Sequence, residues 1–198
     1  MERSIEPPTP PPGPKLALAL ALFTLVVLGG GGAWLIVSVQ ERSLVDLLIG
    51  SSPWYVQTII GIIGGGLIAI GGWWIITRTW LEPVRGRYSN IIGPLMPGRW
   101  IQIIVSICAG VGEEILFRGC LQHWLGITLT AFGFVALHGY LNPRDLRVSA
   151  YGLYMSAAMI TLGVAADHFG LIAPIVAHTV IDIVLIDRLV KDWRNGVG

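Results

Sequence analysis

The sequence predicts an all-α fold, a polytopic membrane bundle of about six transmembrane helices, and three observations support this prediction. Hydrophobic residues make up 54% of the 198 residues and charged residues only 13%, whereas soluble domains carry about 25% charged residues. The mean hydropathy is high, at +0.70. Six apolar stretches also approach the ~20 residues that a helix needs to cross a bilayer. The chain therefore belongs to the class of integral, multi-pass membrane proteins.

The six stretches divide the chain into four expected segments. These are a disordered proline-rich tail (1–14), two N-terminal spans with a cytoplasmic loop (15–98), a four-span domain (99–190) and a C-terminal tail (191–198). The predicted spans are 16–39, 54–76, 100–121, 127–141, 149–166 and 171–186. The fourth covers only ~22 Å as a helix, so we expect it to be buried among the other helices.

The distribution of positive charge predicts the orientation of the chain. If both termini are cytoplasmic, almost every Lys and Arg outside the spans falls on the cytoplasmic side, and only Arg42 falls on the other. Cytoplasmic loops carry this excess of positive charge in membrane proteins. The net charge of +1 gives no general basic signal for nucleic acid, so the expected partners are the bilayer and a substrate. The oligomeric state stays unknown.

A charged cluster in the third span is the main functional signal. Glu113 and Glu114 stand side by side there, and Arg118 follows. A carboxylate at membrane depth is costly and is tolerated mainly where it is paired, hydrated or functional. Residues four apart share a helix face, so Glu114 is expected to pair with Arg118. Glu113 points ~100° away from Glu114 and is left without a local cationic partner.

Two histidines in other spans lie at a depth that matches Glu113. At ~1.5 Å per residue, Glu113 lies ~20 Å from the cytoplasmic start of its span, and His138 and His178 lie ~16 and ~11 Å from the opposite side. In a hydrocarbon core of ~30 Å these depths coincide near the middle of the membrane. Asp182 follows His178 by four residues and shares its helix face. We therefore expect the two histidines to meet Glu113.

One carboxylate and two histidines suit the hydrolysis of an acyl bond. The carboxylate, helped by one histidine, would take a proton from water, and the other histidine would donate to the developing oxyanion. The same side chains of Glu113, His138 and His178 are also zinc ligands. From the residues alone, a metal-free site and a zinc site are both open.

Three motifs on separate spans carry a family resemblance. They are Glu113-Glu114-Ile-Leu-Phe-Arg118, Phe134-Val-Ala-Leu-His138 and His178-Thr-Val-Ile-Asp182. In order and spacing they resemble the signature of the CPBP family, the CAAX-protease and bacteriocin-processing (Abi) intramembrane proteases. The resemblance covers roughly residues 100–187. It implies a cavity, conical in shape, among the last four spans and a glutamic endopeptidase without an obligatory metal, acting on a peptide or membrane protein.

The resemblance also implies a role for each motif residue. Glu113 resembles the catalytic glutamate, with His138 helping to activate water, and Glu114 and Arg118 resemble supporting residues. His178 and Asp182 resemble the pair that stabilises the oxyanion. The eukaryotic CAAX endopeptidases have Asn where this chain has Asp182. An ionised carboxylate would oppose an oxyanion, so Asp182 is either protonated or orients His178.

Other functions remain open at this point. The motifs could form the structural core of a non-catalytic membrane adaptor or bacteriocin-immunity protein. Buried Glu and His also serve proton relays, although six spans without an evident inverted repeat make a transporter less consistent with the sequence. Polar residues at the ends of spans, among them His123, Asp167 and His168, are expected to be structural only.

Overall fold

The computed structural model describes residues 13–196, and this part of the chain is almost entirely helical, without a β-strand. The all-α prediction is therefore confirmed. Nearly all of the predicted proline-rich tail (1–14) and the last two residues of the predicted C-terminal tail lie outside the described residues. Pro14 is the first residue of the first helix, a position that proline favours because its missing N–H needs no partner there.

Eight main helices follow one another along the described chain, and a short 3₁₀ helix, Thr79–Leu81, directly precedes the fourth. They are α1 (Pro14–Ser38), α2 (Leu44–Ile49), α3 (Trp54–Ile76), α4 (Glu82–Leu95), α5 (Arg99–Glu114, continued as a π-helix over Ile115–Leu121), α6 (Gln122–Leu137), α7 (Leu146–Phe169) and α8 (Ile172–Arg194). A second π-helical stretch, Thr24–Gly29, lies within α1.

Four helical stretches among the described residues are long and apolar enough to cross a membrane: Pro14–Ser38, Trp54–Ile76, Arg99–Leu137 and Leu146–Phe169. The 39-residue stretch supplies two of the predicted spans, because the chain turns back at Gly126, whose φ is +72°. This reversal brings the Phe117 and Phe134 rings to 4.9 Å. The predicted sixth span, α8, lies outside this set because acidic and basic residues fill its second half.

Two helix ends differ from the sequence expectation. The fourth span was expected to end at 141, but α6 ends at Leu137, and Gly139, with φ +76°, turns the chain away. The sixth span was expected to end at 186 with a tail from 191, but α8 continues to Arg194. Its polar last turns are held by ion pairs of Asp187 with Arg99 and of Asp192 with Arg85.

α8 lies at the centre of the bundle and packs against α3, α4, α5 and α7. Its contact with α3 depends on the Gly61 and Gly65 pair, as expected for a GxxxG motif that packs within one chain. A Cβ atom on Gly65 would lie 2.4 Å from the Ala177 carbonyl oxygen. This close approach of two backbones fixes α8, and with it His178, against the rest of the bundle.

The bundle has two sides, which we name by their charge. The basic side holds residues 77–98 with α4, residues 138–145 and the end of α8, linked by the Arg87–Asp145 and Arg85–Asp192 ion pairs. The Arg42 side holds residues 39–53 with α2, the turn at Gly126 and residues 170–171. There Arg42 donates to the Gly119 carbonyl at 3.1 Å. The polar residues of the third, fourth and sixth predicted spans lie between these two sides.

Candidate active site

Glu114 and Arg118 form a buried ion pair inside α5 and its π-helical extension. Arg118 Nη1 lies 3.0 Å from Glu114 Oε1, and both side chains are almost fully buried. Arg118 Nη2 also contacts the carbonyl oxygen and the sulfur of Met159 on α7, at 3.3 and 3.1 Å. The pairing expected from the four-residue spacing is present, and it compensates two charges that would be costly to bury alone.

His178 joins this pair from α8, a contact that the sequence analysis did not predict. Its Nδ1 lies 2.8 Å from Glu114 Oε1. A carboxylate only accepts hydrogen bonds, so Nδ1 carries the proton. The other ring nitrogen, Nε2, is then directed toward Glu113 and Asp182, with distances of 3.9 Å to Glu113 Oε2 and 3.7 Å to Asp182 Oδ2. Glu114 therefore sets the orientation of His178.

Glu113 occupies the other face of α5, as the helix rotation predicted. Its Oε2 lies 3.5 Å from His138 Nε2, and this buried oxygen has no hydrogen-bond partner within the described part of the chain. His138 Nδ1 lies 2.8 Å from the Phe134 carbonyl oxygen, which fixes Nδ1 as a donor and aims Nε2 at Glu113. The structure thus brings Glu113, His138 and His178 together around one carboxylate oxygen.

Phe134 holds the two imidazoles in place. Its ring stacks on His138, with centroids 4.3 Å apart, and meets His178 edge to face at 5.6 Å. The Arg118 guanidinium carbon also lies 4.9 Å from the centroid of the same ring. The motif Phe134-x-x-x-His138 signals this role, because residues four apart share a helix face.

A cavity of about 160 Å³ opens beside these groups. Glu113, His138, His178 and Asp182 line it, whereas Glu114 and Arg118 lie behind its wall. Most of the remaining wall is apolar. Besides the last four predicted spans, α3 and α4 contribute Trp73, Ile76, Tyr88 and Ile92 to the wall.

Those four residues are functional candidates that the sequence analysis missed. Apolar residues in a membrane span give no signal that separates a cavity wall from a lipid-facing surface. Tyr88 differs from the other three because it lies on α4, whose sequence is more polar than the spans. An aromatic residue with a polar group in such a segment could have been predicted to lie near a functional site. Burial raises the pKa of the Tyr88 phenol above its ordinary value, so the phenol stays protonated and can donate a hydrogen bond at neutral pH.

The described residues contain no group of three or more His, Cys, Asp or Glu side chains arranged to hold a metal ion. Glu113, His138 and His178 are neighbours, but their closest nitrogen-to-oxygen distances are 3.5 and 3.9 Å. Such separations are longer than a direct hydrogen bond and suit groups that contact one water molecule in common.

Residues 95–184 match the family described as type II CAAX prenyl endopeptidase Rce1-like. We call residues 95–184 the Rce1-like segment. The Rce1-like segment contains all three motifs and confirms the resemblance drawn from them. No curated protein and no solved structure matches the chain.

The Rce1-like segment runs from the end of α4 into the middle of α8, and α1, α2 and α3 lie outside it. The match to this family supports an activity of the CAAX-protease type, that of an endopeptidase within the membrane. The helical bundle with its membrane-crossing stretches agrees with an integral membrane protein.

Proposed function

We propose that the chain is an intramembrane endopeptidase in which Glu113 and His138 activate water and His178 and Asp182 stabilise the oxyanion. One observation carries this proposal: a buried, unpartnered oxygen of Glu113 lies beside the Nε2 atoms of two histidines at the wall of an apolar cavity. A non-catalytic adaptor or immunity protein, the alternative, would not need a carboxylate left without a partner in that position.

The first step is the attack of water on the scissile carbonyl. A water molecule between Glu113 Oε2 and His138 Nε2, which are 3.5 Å apart, would donate one proton to Glu113. The resulting hydroxide forms a bond to the carbonyl carbon, and the carbonyl oxygen takes the negative charge. Positioned general bases of this kind contribute about 10²- to 10⁴-fold in rate.

His178 is placed to stabilise that oxyanion. As an imidazolium it would donate Nδ1–H to Glu114, 2.8 Å away, and Nε2–H to the oxyanion. Glu114 and Arg118 would fix the ring before the charge develops, which is what makes such donors effective. Collapse of the tetrahedral intermediate then breaks the C–N bond, and Glu113 returns its proton to the leaving amine.

Asp182 is proposed to act in its neutral form. Its Oδ2 is 3.7 Å from His178 Nε2, too far for a hydrogen bond, but close enough for both groups to contact one oxygen atom of a substrate. A protonated carboxyl can donate a hydrogen bond to an oxyanion as an amide does. In this form Asp182 would replace the Asn of the eukaryotic CAAX endopeptidases.

The apolar wall indicates the substrate class. Trp73, Ile76 and Ile92 face the same cavity as the catalytic groups and would accept an apolar group attached to the substrate. The family description names prenyl substrates, so we propose a lipid-modified or membrane-embedded peptide. Loops rich in Lys and Arg are cytoplasmic, so we propose that the basic side, and with it both termini, lies in the cytoplasm. Because α4 and other residues of the basic side border the cavity, we propose that the substrate enters from the cytoplasm.

We further propose that the reaction needs no resident metal and that residues 99–190 form the catalytic domain. The test is cleavage of a farnesylated CAAX peptide by the purified full chain, before and after dialysis against a strong zinc chelator. The expected result is product formation at an unchanged rate. Loss of activity that added zinc restores would overturn the metal-free mechanism, and failure to cleave any prenylated or unmodified membrane peptide would favour the adaptor.

A further inference from the structure

A second cavity lies on the Arg42 side, away from the catalytic one. Its volume is about 450 Å³, and we call it the outer cleft. It is lined by Arg42, Arg118, Gln122, His123, Asp167 and the turn at Gly126–Ile127. His123 and Asp167 were expected from the sequence to be structural only. The structure instead gathers them, from two helices, in one cleft with Arg42.

One wall of the outer cleft presents a fixed cation. Arg42 Nη1 donates to Gln40 Oε1 at 3.2 Å and to the Gly119 carbonyl at 3.1 Å. A guanidinium has five N–H groups, and these two bonds occupy only Nη1. The other N–H groups of Arg42 make no hydrogen bond to the described residues. A guanidinium held in this way is suited to a phosphate group.

Another wall presents a fixed anion. Gln122 Nε2 donates to Asp167 Oδ1 at 2.8 Å and to the Gly163 carbonyl at 3.1 Å. Both partners are acceptors, so the amide orientation of Gln122 is determined. The bond occupies Oδ1 of Asp167, whose side chain is exposed, and leaves Oδ2 for another donor. An ammonium group with N–H bonds is the natural counterpart of this oxygen.

The surroundings of the outer cleft indicate a lipid as the source of the ligand. Trp124, Leu125 and Leu129 flank the turn at Gly126 and are 51%, 48% and 65% exposed. In a membrane-spanning bundle such exposed apolar side chains face acyl chains, and tryptophan favours the headgroup level. A molecule that enters the cleft from this surface carries its charged head into the cleft and leaves its chains outside.

We propose that the outer cleft binds the headgroup of a phosphatidylethanolamine lipid. The phosphate would pair with Arg42 and the primary ammonium with Asp167. A choline headgroup lacks the N–H donors that Asp167 can accept, and a glycerol headgroup lacks the cation. The cleft therefore selects by chemistry among the common phospholipids, and this selection is independent of the peptidase activity.

The test measures lipid retention by native mass spectrometry on the full chain in a mild non-ionic detergent. Dioleoyl phosphatidylethanolamine, phosphatidylcholine and phosphatidylglycerol are titrated separately. The expected result is a preference for phosphatidylethanolamine of about tenfold, the value of one charge-assisted hydrogen bond. Arg42→Gln should weaken the binding of all three lipids, since each carries the phosphate, and Asp167→Asn should remove the preference. Asp46→Asn, a change at an exposed carboxylate on the same side that does not line the cleft, should keep it.

Two further arms make the outcome decisive. Arg42→Lys retains the charge and should keep part of the affinity that Arg42→Gln loses, which separates loss of the site from misfolding. Soluble glycerophosphoethanolamine should compete only weakly, because it lacks acyl chains. Equal binding of the three lipids, an unchanged preference in Asp167→Asn, or an unchanged affinity for all three lipids in Arg42→Gln would overturn the proposal. Equal binding of the soluble compound would overturn the assignment of the site to a membrane lipid.

Discussion

Glu113 and Glu114 are neighbours in the sequence but have different surroundings in the bundle. Glu114 is enclosed by Arg118 and His178, with one oxygen in contact with both. Glu113 faces the cavity, and its Oε2 lies beside the Nε2 atoms of His138 and His178 at 3.5 and 3.9 Å. A carboxylate whose charge is already compensated on two sides is a poor proton acceptor, so the geometry favours Glu113 as the base and Glu114 as the residue that positions His178.

Substitutions of Asp182 distinguish two roles for this residue, a neutral hydrogen-bond donor to the oxyanion and an ionised carboxylate that orients His178. If Asp182 acts as a neutral donor, Asp182→Asn retains that donor and should keep activity near the wild-type level. Asp182→Ala removes it and should lower kcat by about 10²-fold, the cost of losing one oxyanion donor. Steady-state cleavage of the same farnesylated peptide gives both values. An Asn variant as inactive as the Ala variant would show that the carboxylate itself is needed, as an ion that orients His178.

The sequence predicted the members of this site but not all of their contacts. The four-residue spacings predicted the Glu114–Arg118 pair, and matched depths predicted that Glu113, His138 and His178 would meet. The Glu114–His178 hydrogen bond depends on how closely α5 approaches α8. That approach is set by Gly110, where a Cβ atom would lie 2.9 Å from the Ile175 carbonyl oxygen, and no periodicity within one helix encodes such a distance.

At the scale of elements, α1 supports the helix that carries Glu113 from outside the Rce1-like segment. Gly112, which directly precedes Glu113, lies against the π-helical stretch of α1. A Cβ atom on Gly112 would lie 2.4 Å from the Thr24 carbonyl oxygen, and one on Gly29 would lie 3.0 Å from Gly112 Cα. Two backbones in such close contact leave no space for a side chain.

Gly112→Ala should therefore lower both stability and activity. Overpacking of this kind costs about 1–3 kcal/mol, and the displaced helix carries Glu113 away from His138. The measurements are the thermal unfolding midpoint in detergent and kcat for peptide cleavage. Gly30→Ala and Gly31→Ala are matched controls, since a Cβ atom at either position meets nothing within 4 Å. A Gly112→Ala protein equal to these controls would show that α1 does not position the catalytic helix.

Element boundaries were less predictable than the elements themselves. The apolar stretches predicted the six helices α1, α3, α5, α6, α7 and α8, because burial in lipid requires continuous helical hydrogen bonding, but they did not predict α4, which lies in the segment expected to be a cytoplasmic loop. They did not predict the two π-helical stretches or the continuation of α8 to Arg194. Both depend on contacts between helices, namely α1 against α5 and the ion pairs that α8 makes with α4 and α5.

At the scale of the whole molecule, the catalytic cavity and the outer cleft lie at different depths of one bundle. The cavity is bordered by α4 and the end of α8 on the basic side, and the cleft by residues around Arg42. The sequence predicted the excess of positive charge on one side. It did not predict that α3 and α4 close the cavity, because their contribution is apolar and is decided by packing against α8.

This arrangement predicts which loops lie on each side of the membrane. In a background without Cys108 and Cys120, Arg144→Cys on the basic side should react with a membrane-impermeant maleimide only after the vesicles are opened. Ser43→Cys on the Arg42 side should react in sealed, right-side-out vesicles. Positive loops stay in the cytoplasm, which gives the expected result. The reverse pattern of labelling would show that the catalytic cavity opens away from the cytoplasm.

The central claim, that Glu113 is the base of an intramembrane endopeptidase, is tested most directly by Glu113→Gln. The substitution keeps the size and polarity of the side chain and removes its ability to accept a proton, and Glu82→Gln, at an exposed glutamate on α4, is the control. We predict that kcat for cleavage of the farnesylated peptide falls by about 10²- to 10⁴-fold, with little change in KM, while Glu82→Gln stays at the wild-type rate. Cleavage by purified Glu113→Gln at the rate of the wild type would contradict the mechanism.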